Sequence, residues 1–228
     1  MSAGNHADGT LRGHGDELLT FPTMGGSGEA LADRTLAVVD VETTGFAPGP
    51  DRVVEVAVVR ITPDGTIEDE WVSLVNPGRD VGPSWVHHIT DDMVAGAPEF
   101  ADVADELLDR FADAVVVAHN ARFDAGFLAH ELDTAGFQAP SLPGACTMQL
   151  ARWSGLAVAN YKLATCCEAL GLVNAGAHSA LGDARVTAEL AARLVAPGLD
   201  LRWSVGPWQR SAATRAGSQA VARPQVDP

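Results

Sequence analysis

Short β-branched runs and stretches of helical spacing follow one another along the chain. TLAVVDVE (35–42), VVEVAVVRI (53–61) and TIEDEWVSLV (66–75), the last entered through the Asp64-Gly65 turn signal, predict three strands in a meander. Helical spacing takes over in FADVADELLDRFAD (100–113), where Val103, Leu107, Leu108 and Phe111 share a face behind Pro98 and Glu99. AVVVAH (114–119) predicts a short buried strand. ARFDAGFLAHELDTAG (121–136) predicts an amphipathic helix ended by Gly136, CTMQLARW another helical stretch, and KLATCCEALG (162–171) a helix ended by Gly171. A last helix is expected from about Ser179 to Leu194, stopped by Pro197. Three strands, a helix, a strand and several helices describe an α/β layered domain with a mixed sheet. No internal repeat is visible.

Outside this pattern the chain changes character. Residues 1–34 are rich in glycine with little periodicity and are expected to form a mobile arm, residues 35–197 the folded domain, and residues 198–228 a flexible tail in which Trp203 and Trp208 could dock on the core. At 228 residues the chain suits one full domain plus these flanks, and no apolar run approaches the roughly 18 to 20 residues that span a bilayer, so no membrane partner is expected. The first residues lack the basic start and apolar stretch of a secretory signal, and Cys146, Cys166 and Cys167 suggest reduced thiols; both point to the cytoplasm. Thirty acidic residues against 15 Lys+Arg give a net charge of −15, which argues against binding polyanions by bulk attraction. Only residues 198–228 carry more basic than acidic side chains, 4 against 2.

Several carboxylates stand where the pattern wants apolar residues. Asp40 and Glu42 lie two apart at the end of the first strand and therefore on one face. Asp124 shares a helical stripe with Phe127, Leu128 and Glu131, and Asp183 another with Ala180, Ala184, Thr187, Ala191 and Leu194. A solvated strand end would explain the first pair, and helix N-capping either aspartate alone. All four together are harder to explain, because only Arg52, Arg122 and Arg185 lie nearby in sequence. Divalent cations are the economical counter-charge, and oxygen-only ligands favour Mg²⁺ or Mn²⁺ over Zn²⁺. His119 and His178 each precede a helical aspartate by five residues, so spacing alone does not separate them. His87, His88 and His130 read as plain surface histidines.

VVDVETTGF with Asp40 and Glu42, HNARFDAGFL with Asp124, and HSALGDA with His178 and Asp183 resemble the three motifs of the DEDDh superfamily of 3′-to-5′ exonucleases. The similarity is to the proofreading (epsilon) subunit of bacterial DNA polymerase III and its stand-alone relatives, and it covers roughly residues 35–195, including HHITDDMV. It implies an RNase H-like fold with a five-stranded mixed sheet and a site of two divalent cations, Mg²⁺ or Mn²⁺. Asp40 would bridge both ions, Glu42 and Asp183 would complete the coordination of the first ion, and Asp124 would serve the second ion, partly through water. His178 is carried over as general base, with His119 as a positioning residue. Thr43, Thr44, Gly45 and Phe46 would meet the 3′-terminal nucleotide, Phe46 by stacking, while His88, Ile89 and Asn120 occupy family-like substrate positions. Two departures stand out: Cys146-Thr147 replaces a frequent Asp-Thr pair at a position that binds no metal, and GLAVANYK offers only Lys162 as a base.

The expected activity is release of nucleoside 5′-monophosphates from single-stranded or frayed DNA 3′ ends in proofreading or repair, with a DNA polymerase or repair protein as a possible partner. An RNA exonuclease of RNase T or oligoribonuclease type is the alternative, and a non-catalytic polymerase-binding scaffold the remaining one. The sequence does not choose between a replicative subunit and a stand-alone enzyme.

Overall fold

The computed structural model describes residues 18–24, 29–137, 141–195, 200–203 and 208. In chain order the strands and helices are β1 (Leu19–Thr20), β2 (Thr23–Met24), β3 (Glu29–Ala30), β4 (Leu36–Thr43), β5 (Val53–Ile61), β6 (Ile67–Leu74), α1 (Ser84–His87), α2 (Asp91–Val94), α3 (Phe100–Phe111), β7 (Val115–Ala118), α4 (Arg122–Thr134), β8 (Leu142–Cys146), α5 (Thr147–Trp153), α6 (Leu163–Ala169), α7 (Ala180–Leu194) and β9 (Leu201–Trp203).

A six-stranded mixed sheet runs in the order β1-β8-β7-β4-β5-β6. The meander β4-β5-β6 is antiparallel, and β4 then pairs parallel with β7, which pairs parallel with β8. The β4 and β7 runs are almost wholly apolar because helices cover both faces of the sheet, as parallel pairing with helical crossovers requires. On one face Ala37, Val39 and Val41 pack with Leu107 and Leu108 of α3 and Phe127 and Leu128 of α4. On the other, Leu36 and Val38 pack with Ala57 and Val59 of β5 and Ala184, Leu190 and Ala191 of α7. Alternation along β4 carries this second row onward to Asp40 and Glu42, which therefore lie on the α7 face.

All five strands of the expected sheet are present, and a sixth joins them. β1 adds in parallel to β8, pairing Leu19 with Leu142 and Thr20 with Pro143, and Leu18 and Leu19 are buried. The expected mobile arm over residues 1–34 is thus corrected in its described part. Its apolar side chains are too few to show a period, and their partner strand lies far along the chain. The expected flexible tail is corrected at Leu201–Trp203, where β9 sits between β2 and β3 in a small antiparallel sheet, whereas Trp208 docks as the sequence reading allowed, its carbonyl accepting the Asp113 N–H at 2.9 Å. Trp208 also packs against the first core. The rest of both expected flanks lies outside the described residues. β8 had no local strand signal, since it contains Pro143 and Gly144, both poor strand residues. The one-turn helices α1 and α2 were too short to leave a periodicity. No described helix is long and apolar enough to cross a membrane.

Candidate active site

β4 and β7 end at the same edge of the sheet, and β4 is the strand from which the order departs both ways, toward antiparallel β5 and parallel β7. In α/β sheets such a switch point leaves a crevice beyond the carboxyl ends of the strands. Asp40 and Glu42 occupy the last turn of pleat on β4, and Asp183 faces them from the first turn of α7. Ligand oxygens of Asp40, Glu42 and Asp183 all lie within 4.8 Å of one another. Asp124, in the first turn of α4, is only 3% exposed and is close enough for its charge to act on Asp40.

Like charges brought together out of water resist ionisation. Burial, then Asp124, Asp183, Glu42 and Glu55, push the Asp40 carboxyl well above the usual carboxylate range. Burial followed by Asp183 and Glu55 lifts Glu42 to about 7. Asp124 is lifted to about 7, first by burial and also by Glu42, against hydrogen bonds from its own backbone and that of Val41. Every charge acting on these three acids is another carboxylate. Two of the arginines near them in sequence are engaged elsewhere: Arg52 forks onto Glu131 at 2.8 and 2.7 Å, and Arg185 forks onto Glu70 at 2.7 Å for both bonds. Capping does not account for Asp183 either, because the Ser179 hydroxyl caps α7 by accepting the Gly182 N–H at 3.2 Å. Hard oxygen donors raised by burial and then by one another's charge fit a divalent cation of the Mg²⁺ or Mn²⁺ type.

Geometry separates the two histidines that spacing left equivalent. His119 uses both ring nitrogens: Nε2–H donates to the Tyr161 carbonyl at 2.9 Å, and Nδ1 lies 2.9 Å from the Thr147 hydroxyl. Burial pushes its pKa below the ordinary histidine value, which favours the neutral ring protonated on Nε2, and the Thr147 hydroxyl is shared between Nδ1 and the Ala118 carbonyl. A ring tied at both ends holds the loop into α4 and has no free nitrogen for proton transfer. Thr147, read from sequence as part of a departure from the family pattern, is one of its two anchors. His178 is exposed in the loop before α7 and sits at φ 67. Among the described residues the non-glycine positions with positive φ are His88, Asp113, Asn120 and His178, so three of the four are candidate site residues. Left-handed backbone at side chains larger than glycine costs free energy and gathers at functional positions.

The loop after β4 spends its hydroxyls on itself. Thr43 Oγ1 donates to the Gly45 carbonyl at 2.6 Å, and Thr44 Oγ1 donates to Asp51 at 3.3 Å and accepts the Arg52 N–H at 3.1 Å. Both threonines are buried, which leaves backbone groups rather than hydroxyls to meet a ligand, while Phe46 is 87% exposed. His88 and Asn120 are exposed, whereas Ile89 is buried with Val54, Val81 and Val94, so its side chain supports the loop from below. His87 is not a surface residue: it is buried, and its Nδ1 accepts the Ile89 N–H at 3.1 Å.

One acid escaped the sequence reading. Glu55 lies directly across the sheet from Glu42 and accepts the Ala180 N–H at 2.7 Å, tying β5 to the first residue of α7. Burial raises its pKa. On β5 it reads as one polar position in an apolar strand, and only the cross-strand register marks it. The Asn174 amide donates to Asp183 from the loop that carries His178. Gly182 sustains this arrangement, since a Cβ there would lie 2.0 Å from the Gly176 carbonyl oxygen. Gly182→Ala should therefore push the 174–179 loop away, lowering kcat at least about 10-fold and costing roughly 1 to 3 kcal/mol in thermal unfolding.

Comparison with known proteins agrees with this geometry. Residues 37–191 match the RNase_T family profile, described as Exonuclease. The chain is 36% identical over 167 residues to the PolC-type DNA polymerase III of Oceanobacillus iheyensis, covering 72% of this chain and 12% of that protein. It is 34% identical over 168 residues to the corresponding Staphylococcus aureus protein, again over 12% of its length, so it spans only a small part of these relatives. Among solved structures, exonuclease X in complex with 5′ overhanging duplex DNA superposes with a TM-score of 0.56 at 32% identity, over 70% of this chain and 90% of that one. E. coli exonuclease I in complex with a dT13 oligonucleotide gives 0.61 at 18% identity, over 72% and 41% of the two chains, and a 3′-exonuclease recognising a histone mRNA stem-loop gives 0.63 at 19%, over 76% and 68%; these two share the fold. The profile match across most of the domain, with the acids on β4, α4 and α7 gathered at one sheet edge, places the chain in the RNase T family of DEDDh-type exonucleases, which are phosphodiester hydrolases.

Proposed function

We propose that the protein is a divalent-cation-dependent 3′-to-5′ exonuclease that releases nucleoside 5′-monophosphates from single-stranded or frayed DNA 3′ ends, in proofreading or repair. The observation that carries this reading is the set of acids at the β4 edge, with ligand oxygens of Asp40, Glu42 and Asp183 within 4.8 Å of one another and Asp124 buried beside them, while the nearby Arg52 and Arg185 are engaged elsewhere.

Asp40, Glu42 and Asp183 would hold one cation, and Asp124 with Asp40 a second. Mg²⁺ or Mn²⁺ there supplies counter-charge for the acids, a lowered pKa for the attacking water, and stabilisation of charge on the reacting phosphoryl group. His178 takes the proton as a water oxygen bonds to phosphorus and the P–O3′ bond breaks, leaving a 5′-monophosphate and a strand shortened by one nucleotide. Its exposed position in the loop before α7 leaves the ring open to water and to a strand end. The backbone of Thr43 to Phe46 orients the terminal nucleotide, and Phe46 stacks on its base, a contact worth about 1 to 3 kcal/mol without reading sequence. His88 and Asn120 border the terminal nucleotide, and Ile89 supports the loop beneath it. His119 holds the strand-to-helix loop so that Asp124 stays aimed at Asp40.

DNA as substrate is supported by the duplex DNA bound to exonuclease X, the 32%-identical structural relative. The test compares 3′-end-labelled single-stranded DNA, mismatched duplex DNA and RNA of one sequence, with Mn²⁺ and with chelator. Mononucleotide release from DNA only when metal is present is the expected result. Turnover confined to RNA would replace the substrate assignment with the RNase T-like one, and metal-insensitive binding without turnover would leave a scaffold.

A further inference from the structure

Next to the acid cluster is an open cleft of about 390 Å³, lined by His119, Asn120, Met148, Arg152, Tyr161, Lys162 and Leu163. It shares its wall with the candidate active site. His119 and Asn120 belong to the loop whose next helical turn carries Asp124, and His119 is close enough to Asp183 to feel its charge.

The cleft's charge runs against the rest of the molecule. The chain carries −15 and contains a single lysine, Lys162, which stands on this cleft. Arg52, Arg60, Arg79, Arg110, Arg185 and Arg202 each pair with a carboxylate. Arg152 and Lys162 are exposed and have no carboxylate partner among the described residues. Arg152 is held instead by the face of Tyr161, with its guanidinium carbon 4.9 Å from the ring centroid, which leaves its N–H groups free. Its backbone is fixed in α5, and the residue that positions it, Tyr161, also anchors His119 through its carbonyl. Two unpaired cations on one concave wall, beside a site that cleaves phosphodiesters, suit an oxyanion of the same polymer, and a guanidinium fork suits phosphate above other anions.

We infer that this cleft is a phosphate-holding subsite for the substrate strand, with Arg152 and Lys162 as its cations. The inference rests on the polynucleotide exonuclease reading and adds to it. It gives a strongly acidic protein a local means of holding a polyanion, with no basic surface needed elsewhere.

The lone lysine supplies a readout independent of turnover. With Ca²⁺ in place of Mn²⁺ to limit hydrolysis, the rate of Lys162 acetylation is followed by peptide mass spectrometry. Single-stranded dT oligomer should slow it at least about 5-fold at low salt, with protection lost as salt rises. Unchanged acetylation in the presence of bound oligomer overturns the subsite, and equal protection by inorganic phosphate at the same phosphate concentration reduces it to a general anion site and overturns the strand assignment. In the Mn²⁺ assay, R152Q/K162Q should raise KM for the oligomer roughly 10-fold at 0.1 M salt, leave kcat nearly unchanged, and lower the slope of log KM against log salt by about 0.7 per lost contact. R152K should recover only part of the loss, since it keeps the charge but not the guanidinium fork. Protection without cleavage by the wild-type protein would uphold the cleft and sink the nuclease reading. Cleavage without protection, with KM unmoved in the double variant, would do the reverse.

Discussion

Asp40→Asn is expected to lower exonuclease turnover by about 10³-fold or more while making the metal-free protein more stable. Both effects come from one charge. Asp40 is the acid on which Asp124, Asp183, Glu42 and Glu55 all act, so it is the ligand the cation most needs and the group the empty fold tolerates least. The pH dependence has a definite sign. Asp40, Glu42 and Asp124 have folded pKa values raised above their unfolded ones, so their contribution to stability is full below the ordinary carboxylate range and is lost as pH rises toward the folded values of about 7 for Glu42 and Asp124. Thermal unfolding in chelator should therefore show Asp40→Asn ahead of wild type by roughly 1 to 3 kcal/mol at pH 8, with the gap closing toward pH 4. Mn²⁺ should raise the wild-type Tm at pH 8 far more than that of the variant. A variant less stable than wild type at pH 8 in chelator would show that the acids are not straining the empty fold.

The largest stability loss is expected away from the chemistry. Glu131 is 1% exposed on α4 and accepts Nε and Nη2 of Arg52 at 2.8 and 2.7 Å and the Val53 N–H at 3.1 Å. This one carboxylate fastens α4 to the start of β5 and to the loop that follows the first acidic pair. Glu131→Ala leaves a half-buried guanidinium and a buried N–H without their acceptor, at a cost of about 3 to 5 kcal/mol. For a domain of this size the Tm should fall by roughly 6 to 15 °C, as scanning calorimetry would show. Glu131→Gln, which keeps one acceptor oxygen, should lose less. At 20 °C, well below its transition, the alanine variant should keep kcat within about 3-fold, because Glu131 serves stability and Asp124 two turns earlier serves the chemistry. Loss of activity without loss of stability would move Glu131 into the site.

Asp40 and Glu42 were legible because a strand's period of two is rigid: once β4 is recognised, both must share a face, and the face is fixed by the helix that covers it. Asp124 and Asp183 were legible as polar interruptions of apolar helical stripes, and Glu131 looked the same although its partner is Arg52. What separates them is the identity of a neighbour about 80 residues away, which no local pattern encodes. Likewise His119 and His178 share a spacing and differ only in what Thr147 and Tyr161 do to one of them. Glu55 was hidden because cross-strand register, unlike periodicity, depends on the turn and on the bulge at Glu42 and Thr43. β1 and β9 were hidden because two- or three-residue strands exist only through their partners.

The small sheet in which β9 lies between β2 and β3 brings the incoming and outgoing ends of the described chain side by side, Thr23 opposite Arg202 and Ala30 opposite the same residue. A unit whose two leads meet at one point can be spliced into a longer polypeptide with little disturbance to either host or insert. That property suits a nuclease module whose relatives in larger polymerases occupy about 12% of the parent chain.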